Sequence, residues 1–186
     1  ANGRLAREAG FEEVWVQPAA HDAGLSLGAA LWGWHALLGG PRGPAMDRAD
    51  FGDAFEAETV TGILDRCKVR YQVLEDPARR AAELIAGGQI VGWVQGRAEF
   101  GPRALGNRSI LADPRRPDMK DRMNAVIKQR EGFRPFAPAC REEDLSRYFE
   151  WARPLPFMVF VFPVRPEFRD RLPAVTHVDG SARIQT

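Results

Sequence analysis

The sequence predicts an α/β chain of the mixed α+β kind, a twisted mixed sheet with flanking helices, on three observations. Short apolar stretches of strand length are interleaved with longer stretches of helical period. The two kinds do not alternate strictly, which argues against a regular βαβ repeat. Of its 186 residues 45% are hydrophobic, enough for a core, while 18 Gly and 14 Pro are too few for a disordered or collagen-like chain.

Taken in order, residues 11–16 (Phe-Glu-Glu-Val-Trp-Val) read as a short strand. Residues 23–38 are rich in Ala and Leu and read as a buried helix, with Asp22 as its cap and Gly39-Gly40-Pro41 as its stop. The Gly, Pro and charged residues of 39–50 read as a linker, which divides the chain into 1–45 and 46–186. Beyond it, 56–66 reads as a helix and 69–73 as a strand. Asp76 and Pro77 open a further helix, since an acidic cap and a first-turn proline suit its start, and Gly87-Gly88 close it. Residues 89–95, with Ile90, Val91, Trp93 and Val94, read as a buried strand. A shorter strand at 109–112 ends in a turn at Asp113-Pro114. Residues 117–131 read as a helix burying Met119, Met123, Val126 and Ile127. A helix at 142–150, a strand at 157–164 and the start of another at 182–185 complete the reading.

A net charge of +1 excludes a dedicated nucleic-acid binder, which needs a broad basic field. No apolar run reaches membrane-spanning length and no secretory pattern opens the chain, so a cytoplasmic protein without a membrane partner is expected. Cys67 and Cys140 make neither a disulfide framework nor a metal pair and read as buried or half-buried thiols in a reducing compartment.

The basic charge is local. Arg97, Arg103, Arg108, Arg115, Arg116, Lys120, Arg122, Lys128, Arg130 and Arg134 all fall in one segment. Several sit beside Gly, Pro or Phe, as in Gly101-Pro102-Arg103 and Phe133-Arg134-Pro135-Phe136. A guanidinium on a stiff backbone is a pre-organised fork for phosphate or carboxylate oxygens, so the segment reads as a site for a phosphorylated small molecule. Helical spacing puts Lys120, Asn124 and Lys128 on one stripe, away from Met119 and Met123. Glu99 reads as the balance to Arg97 or Arg108, and Asn107 and Ser109 as either pocket donors or loop supports. His177 and Asp179, alternating with Ser181 and Arg183, fit one face of an extended segment, with His177 in a positioning or phosphate-binding role rather than as a base.

Three blocks carry a family resemblance: Glu99-Phe100-Gly101-Pro102-Arg103-Ala104-Leu105-Gly106-Asn107-Arg108-Ser109, Lys128-Gln129-Arg130-Glu131 with Phe133-Arg134-Pro135-Phe136-Ala137-Pro138, and His177-Val178-Asp179-Gly180-Ser181-Ala182-Arg183. Together they resemble the C-terminal domain of the O-carbamoyltransferases, the family of nodulation-factor and antibiotic carbamoyltransferases. The resemblance implies a YrdC-like fold for 46–186. A weaker likeness at Gln17-Pro18-Ala19-Ala20-His21-Asp22-Ala23-Gly24 implies that 1–45 is the tail of a Kae1-like domain of actin-like ATPase architecture, in a chain truncated at both ends.

It also implies that Arg103, Lys128, Arg134 and Arg183 line a pocket for ATP and carbamoyl phosphate, with Lys128 and Arg134 as electrostatic clamps. The implied reaction forms carbamoyl adenylate and passes the carbamoyl group to a hydroxyl of a small-molecule acceptor. Mg²⁺ is expected with ATP. An iron is expected in the whole protein, with Asp22 matching one of its ligands and the histidines lying outside this chain. Two other readings share these features: a hydrogenase-maturation type of carbamoyltransferase, and a non-catalytic nucleotide-binding module.

Overall fold

The computed structural model describes residues 1–186. Its class is α+β: seven short α-helices and four strands. Helix α1 (Asn2–Glu8) has no counterpart in the sequence reading. It lies on the later strands so closely that a Cβ on Gly3 would stand 2.0 Å from the Val161 carbonyl oxygen, so only glycine fits there. Residues 11–16 form no strand. Val14 and Val16 turn in against the core and Trp15 turns out, so the alternation is present, but no neighbouring chain supplies a ladder.

Helix α2 (Leu25–Trp32) continues from a 3₁₀ turn at Asp22–Gly24 into a π-helical turn at Gly33–Leu37. The residue that caps it is His21, whose Nδ1 accepts the Ala23 N–H at 3.3 Å, rather than Asp22. The helix is formed but not buried, with Leu25, Trp32, Leu37 and Leu38 all more than 60% exposed. Helix α3 (Ala57–Arg66) follows, but 69–73 is exposed chain with no pairing partner. Helix α4 (Pro77–Ala86) is opened as its sequence dictates, the Asp76 carboxylate accepting the Arg79 N–H at 2.9 Å.

Strands β1 (Val91–Val94) and β2 (Arg108–Leu111) pair antiparallel, Trp93 opposite Ser109 and Val94 opposite Arg108. β1 is half-exposed, not buried. Helix α5 (Met119–Arg122) runs into a π-helical turn, Met123–Lys128, and this displaces the stripe expected of a regular helix. Asn124 is buried beside Met119 and Met123, while Val126 and Ile127 face solvent. Helix α6 (Leu145–Tyr148), strand β3 (Phe160–Pro163), helix α7 (Pro166–Arg169) and strand β4 (Ser181–Ile184) finish the chain.

The strands gather as two antiparallel ribbons, β1–β2 and β3–β4, rather than one continuous mixed sheet. The only parallel pairing is a single bridge, Ala139 to Gln185, on the free edge of β4. Period-2 alternation sends Phe160, Phe162, Ala182 and Ile184 into the main core, where Trp151 stacks on Phe162 at 4.1 Å. Val161 and Arg183 face each other on the opposite side. A smaller core holds Met119, Met123 and Ala174 under the β2 residue Ile110. Cys67 is exposed and Cys140 half-buried, both as free thiols. No helix is long and apolar enough to cross a membrane.

Candidate functional site

Three stretches far apart in sequence meet at Gln185. Its backbone N–H donates to the Pro138 carbonyl at 3.1 Å, and its carbonyl accepts from the Cys140 N–H at 2.9 Å. Its side-chain amide donates to the Leu105 carbonyl. β4, the segment after the 129–134 turn and the Gly101–Asn107 loop are thereby held against one another.

The loop is built around Glu99. Its carboxylate pairs with no arginine; it accepts the backbone N–H of Leu105 at 2.9 Å, of Asn107 at 2.6 Å and of Arg108 at 3.3 Å. Burial pushes this carboxyl up, but the backbone donors outweigh it and hold Glu99 below the usual carboxylate range. Asn107 and Ser109 serve the same loop. Asn107 donates to the Arg97 carbonyl at 2.8 Å, and the Ser109 hydroxyl accepts the Gly106 N–H at 3.1 Å. Gly101, at φ 120°, brings the loop against Pro18, whose oxygen would stand 3.0 Å from any Cβ there. Arg103 leaves this frame exposed, its Nη1 bonded only to its own chain at Pro102.

Arg183 is the least satisfied cation. Its Nε is buried without a hydrogen-bond partner, and no carboxylate pairs with it. Burial first, then the charges of Arg103 and Arg130, push its guanidinium below the usual arginine value. The charges of Arg103 and Arg130, on separate segments, thus bear on Arg183, an arrangement that an oxyanion relieves.

The other expected residues are placed differently. Lys128 ends the π-helical turn exposed, just before Gln129 in the left-handed region at φ 46°. Arg134 is already engaged, Nε lying 2.8 Å from the Glu131 carboxylate. The segment from His177 to Ser181 is a tight turn, not an extended face: the His177 N–H donates to the Ser181 carbonyl at 2.8 Å and the Gly180 N–H to that of His177 at 2.8 Å. The His177 ring stands 3.6 Å from Asp179, whose carboxylate is held instead by the Ser181 hydroxyl at 2.6 Å and backbone N–H at 3.0 Å. Those Ser181 bonds, above all, keep Asp179 below the usual carboxylate value.

Asp22 does not complete a metal site with the residues of this chain. The neighbouring His21 spends Nδ1 on its own helix, and no three His, Cys, Asp or Glu side chains are arranged to hold a metal ion. These residues alone do not fit an iron.

A pocket of about 220 Å³ opens beside the loop, between Asp47–Asp50, Glu99, Asn107 and Gln185. A larger cavity, about 600 Å³ and mostly apolar, lies elsewhere, between 11–16 and 151–160, and contains none of the site arginines. Gln185 was not singled out in the sequence, Asn124 was placed only on a stripe with Lys120 and Lys128, and Arg130 was named only among the ten cations and in the Lys128-to-Glu131 block.

Residues 82–186 match the family model described as carbamoyltransferase C-terminus, and residues 1–31 the one described as carbamoyltransferase N-terminus. Nodulation protein NolNO of Sinorhizobium fredii is 49% identical over 205 residues, which cover 100% of this chain and 28% of the relative. The 3'-hydroxymethylcephem-O-carbamoyltransferase of Amycolatopsis lactamdurans is 42% identical over 177 residues, 95% of this chain and 32% of the relative. Nodulation protein NolO of Bradyrhizobium diazoefficiens is 49% identical, with 100% of this chain and 35% of the relative covered. The chain thus spans about a third of the length of the curated relatives it matches. With more than half of its residues inside the C-terminal family model, the chain belongs to the carbamoyltransferase family.

Proposed function

We propose that this chain is the carbamoyl-activating part of an O-carbamoyltransferase. In this reading 46–186 is a YrdC-like domain that takes ATP and carbamoyl phosphate, and 1–45 is the tail of a Kae1-like domain. The observation that carries it is the set of Arg103, Arg130 and Arg183, in which no carboxylate cancels the half-buried Arg183. Membership of the family supports the carbamoyl group as its cargo. The name of the Amycolatopsis relative supports a hydroxyl as the acceptor.

The reaction runs in three steps. Carbamoyl phosphate and water give carbamate and inorganic phosphate. A carbamate oxygen attacks the α-phosphorus of ATP, the bond to the α–β bridging oxygen breaks, and pyrophosphate leaves with the electron pair. The acceptor hydroxyl then attacks the carbamoyl carbon and loses its proton as AMP departs. Negative charge builds on the α-phosphate and the leaving pyrophosphate. Fixed cations stabilise it without having to reorganise, commonly the main source of rate acceleration in such chemistry. Arg103, Lys128, Arg134 and Arg183 act here as clamps, not nucleophiles, with Asn107, Ser109 and His177 supporting the loops that carry them. Mg²⁺ enters with the nucleotide, since no cluster of carboxylates in this chain offers it a seat of its own.

The test is release of pyrophosphate by the whole protein supplied with ATP and carbamoyl phosphate. Arg183→Ala should abolish it and Arg147→Ala, an exposed residue on α6, should not. Equal rates in the two variants, or no release by the unaltered protein, would remove the assignment.

A further inference from the structure

We propose that Arg130 is a further anion-binding cation of this site and that Asn124 is the residue that positions it; the inference rests on reading the Arg103–Arg183 cluster as a phosphate site. Asn124 is 1% exposed, the more buried of only two buried polar side chains in the chain. Every polar atom of its amide is used. Oδ1 accepts Arg130 Nε at 2.7 Å, and Nδ2 donates to the carbonyls of Arg134 at 3.0 Å and Gly132 at 3.4 Å. Its backbone carbonyl accepts the Arg130 N–H at 3.0 Å. One buried amide therefore fixes both the course of the 129–134 turn and the direction of one guanidinium.

Arg130 is held from a second side by Phe136, its guanidinium carbon lying 4.8 Å from the ring centroid. Nη2 has only a long contact, 3.5 Å, to the Pro135 carbonyl, which leaves the outer edge of the fork open. Glu131 next to it is ion-paired with Arg134, and Arg130 is the last and weakest of the influences on that carboxylate. The charge of Arg130 also bears on Arg183, again as the last of the influences there.

The identity of residue 124 matters chemically. An aspartate there could orient the same Nε, but its charge would cancel that of Arg130. A neutral amide orients the guanidinium and leaves its full charge for a ligand. Three cations on three separate segments, none paired with a carboxylate, suit an oxyanion of several charges, such as pyrophosphate or the polyphosphate of a nucleotide, better than a single carboxylate.

The probe is inorganic pyrophosphate, titrated calorimetrically into the 186-residue chain alongside thermal melting. Arg103→Ala should weaken binding about 10- to 100-fold, as loss of one charge-assisted contact does. Arg130→Gln should do the same without lowering the melting temperature. Asn124→Asp keeps the acceptor for Arg130 Nε but sets an oxygen against the carbonyls of Arg134 and Gly132, so it should lower the melting temperature. Its weakening of binding should vanish in the Arg130→Gln background, which a merely structural asparagine would not give. If Arg103→Ala weakens binding while Arg130→Gln and Asn124→Asp bind like the unaltered chain, the proposal is overturned and the phosphate reading stands. If neither arginine variant changes affinity, the phosphate reading fails and takes the proposal with it. Should Asn124→Asp fail to fold, Arg130→Gln decides the matter alone.

Discussion

The Glu99 carboxylate accepts the Asn107 backbone N–H at 2.6 Å, closing an eight-residue loop with a side chain where a strand ladder or helix cap would ordinarily serve. Glu99→Ala leaves that N–H, and those of Leu105 and Arg108, without their acceptor. The expected loss is about 2 kcal/mol in urea unfolding, the scale of an unsatisfied half-buried donor set. Because the backbone donors hold the Glu99 carboxyl below its ordinary value of 4.5, its contribution is complete above about pH 4.5 and is lost as the pH falls through the folded value. The acid limb of the stability curve should therefore flatten in Glu99→Ala. An unchanged limb would assign acid sensitivity to other carboxylates.

Arg183→Met should separate stability from binding. The charged group is partly desolvated and repelled by Arg103 and Arg130, so its replacement by an apolar chain relieves the fold. The melting temperature should rise while pyrophosphate affinity falls about 10- to 100-fold. A fall in both would mean that Arg183 has a structural partner after all.

Lys128→Met keeps a helix-compatible side chain of similar length and removes the ammonium. Lys128 is exposed, so melting should move little. In the whole protein, pyrophosphate release should fall by orders of magnitude, because the lost charge acts on the transition state. Transfer from supplied carbamoyl adenylate should survive better. Equal losses in the two assays would break the division of labour between activation and transfer.

Amides of α2 should exchange with solvent hydrogen well before those of β3. The helix exposes Leu25, Leu31 and Trp32, whereas Phe160 and Phe162 of β3 are buried in the main core. Protection in α2 equal to that in β3, read by mass spectrometry on the 186-residue chain, would reveal a cover over this apolar surface.

Local chemistry was the legible part of this fold. Asp76-Pro77 gave the start of α4, and Phe160 and Phe162 gave a strand, because an acidic cap and a period-2 alternation are decided within a few residues. Residues 11–16 and 69–73 carry strand-like composition and make no strand, since pairing needs a partner that composition cannot supply. At the site, Arg103 could be picked from Gly101-Pro102 beside it, and Arg183 from its place in the His177-to-Arg183 block of the family resemblance. Asn124 could not: counted at 3.6 residues per turn it belongs to a solvent stripe, and only the π-helical turn carries it inside. Gln185 was equally hidden, because its role is set by Leu105, 80 residues away.

That last distance decides when the site can exist. The contact between Gln185 and Leu105 closes a long loop, whose entropy must be overcome before any pairing repays it, so the cluster of cations can assemble only late in folding. An anion that prefers the finished cluster acts on the folding equilibrium of the entire domain, stabilising it more with each increase in ligand concentration. A ligand of the cluster would thus be read not only at its site but in the melting temperature of the whole chain.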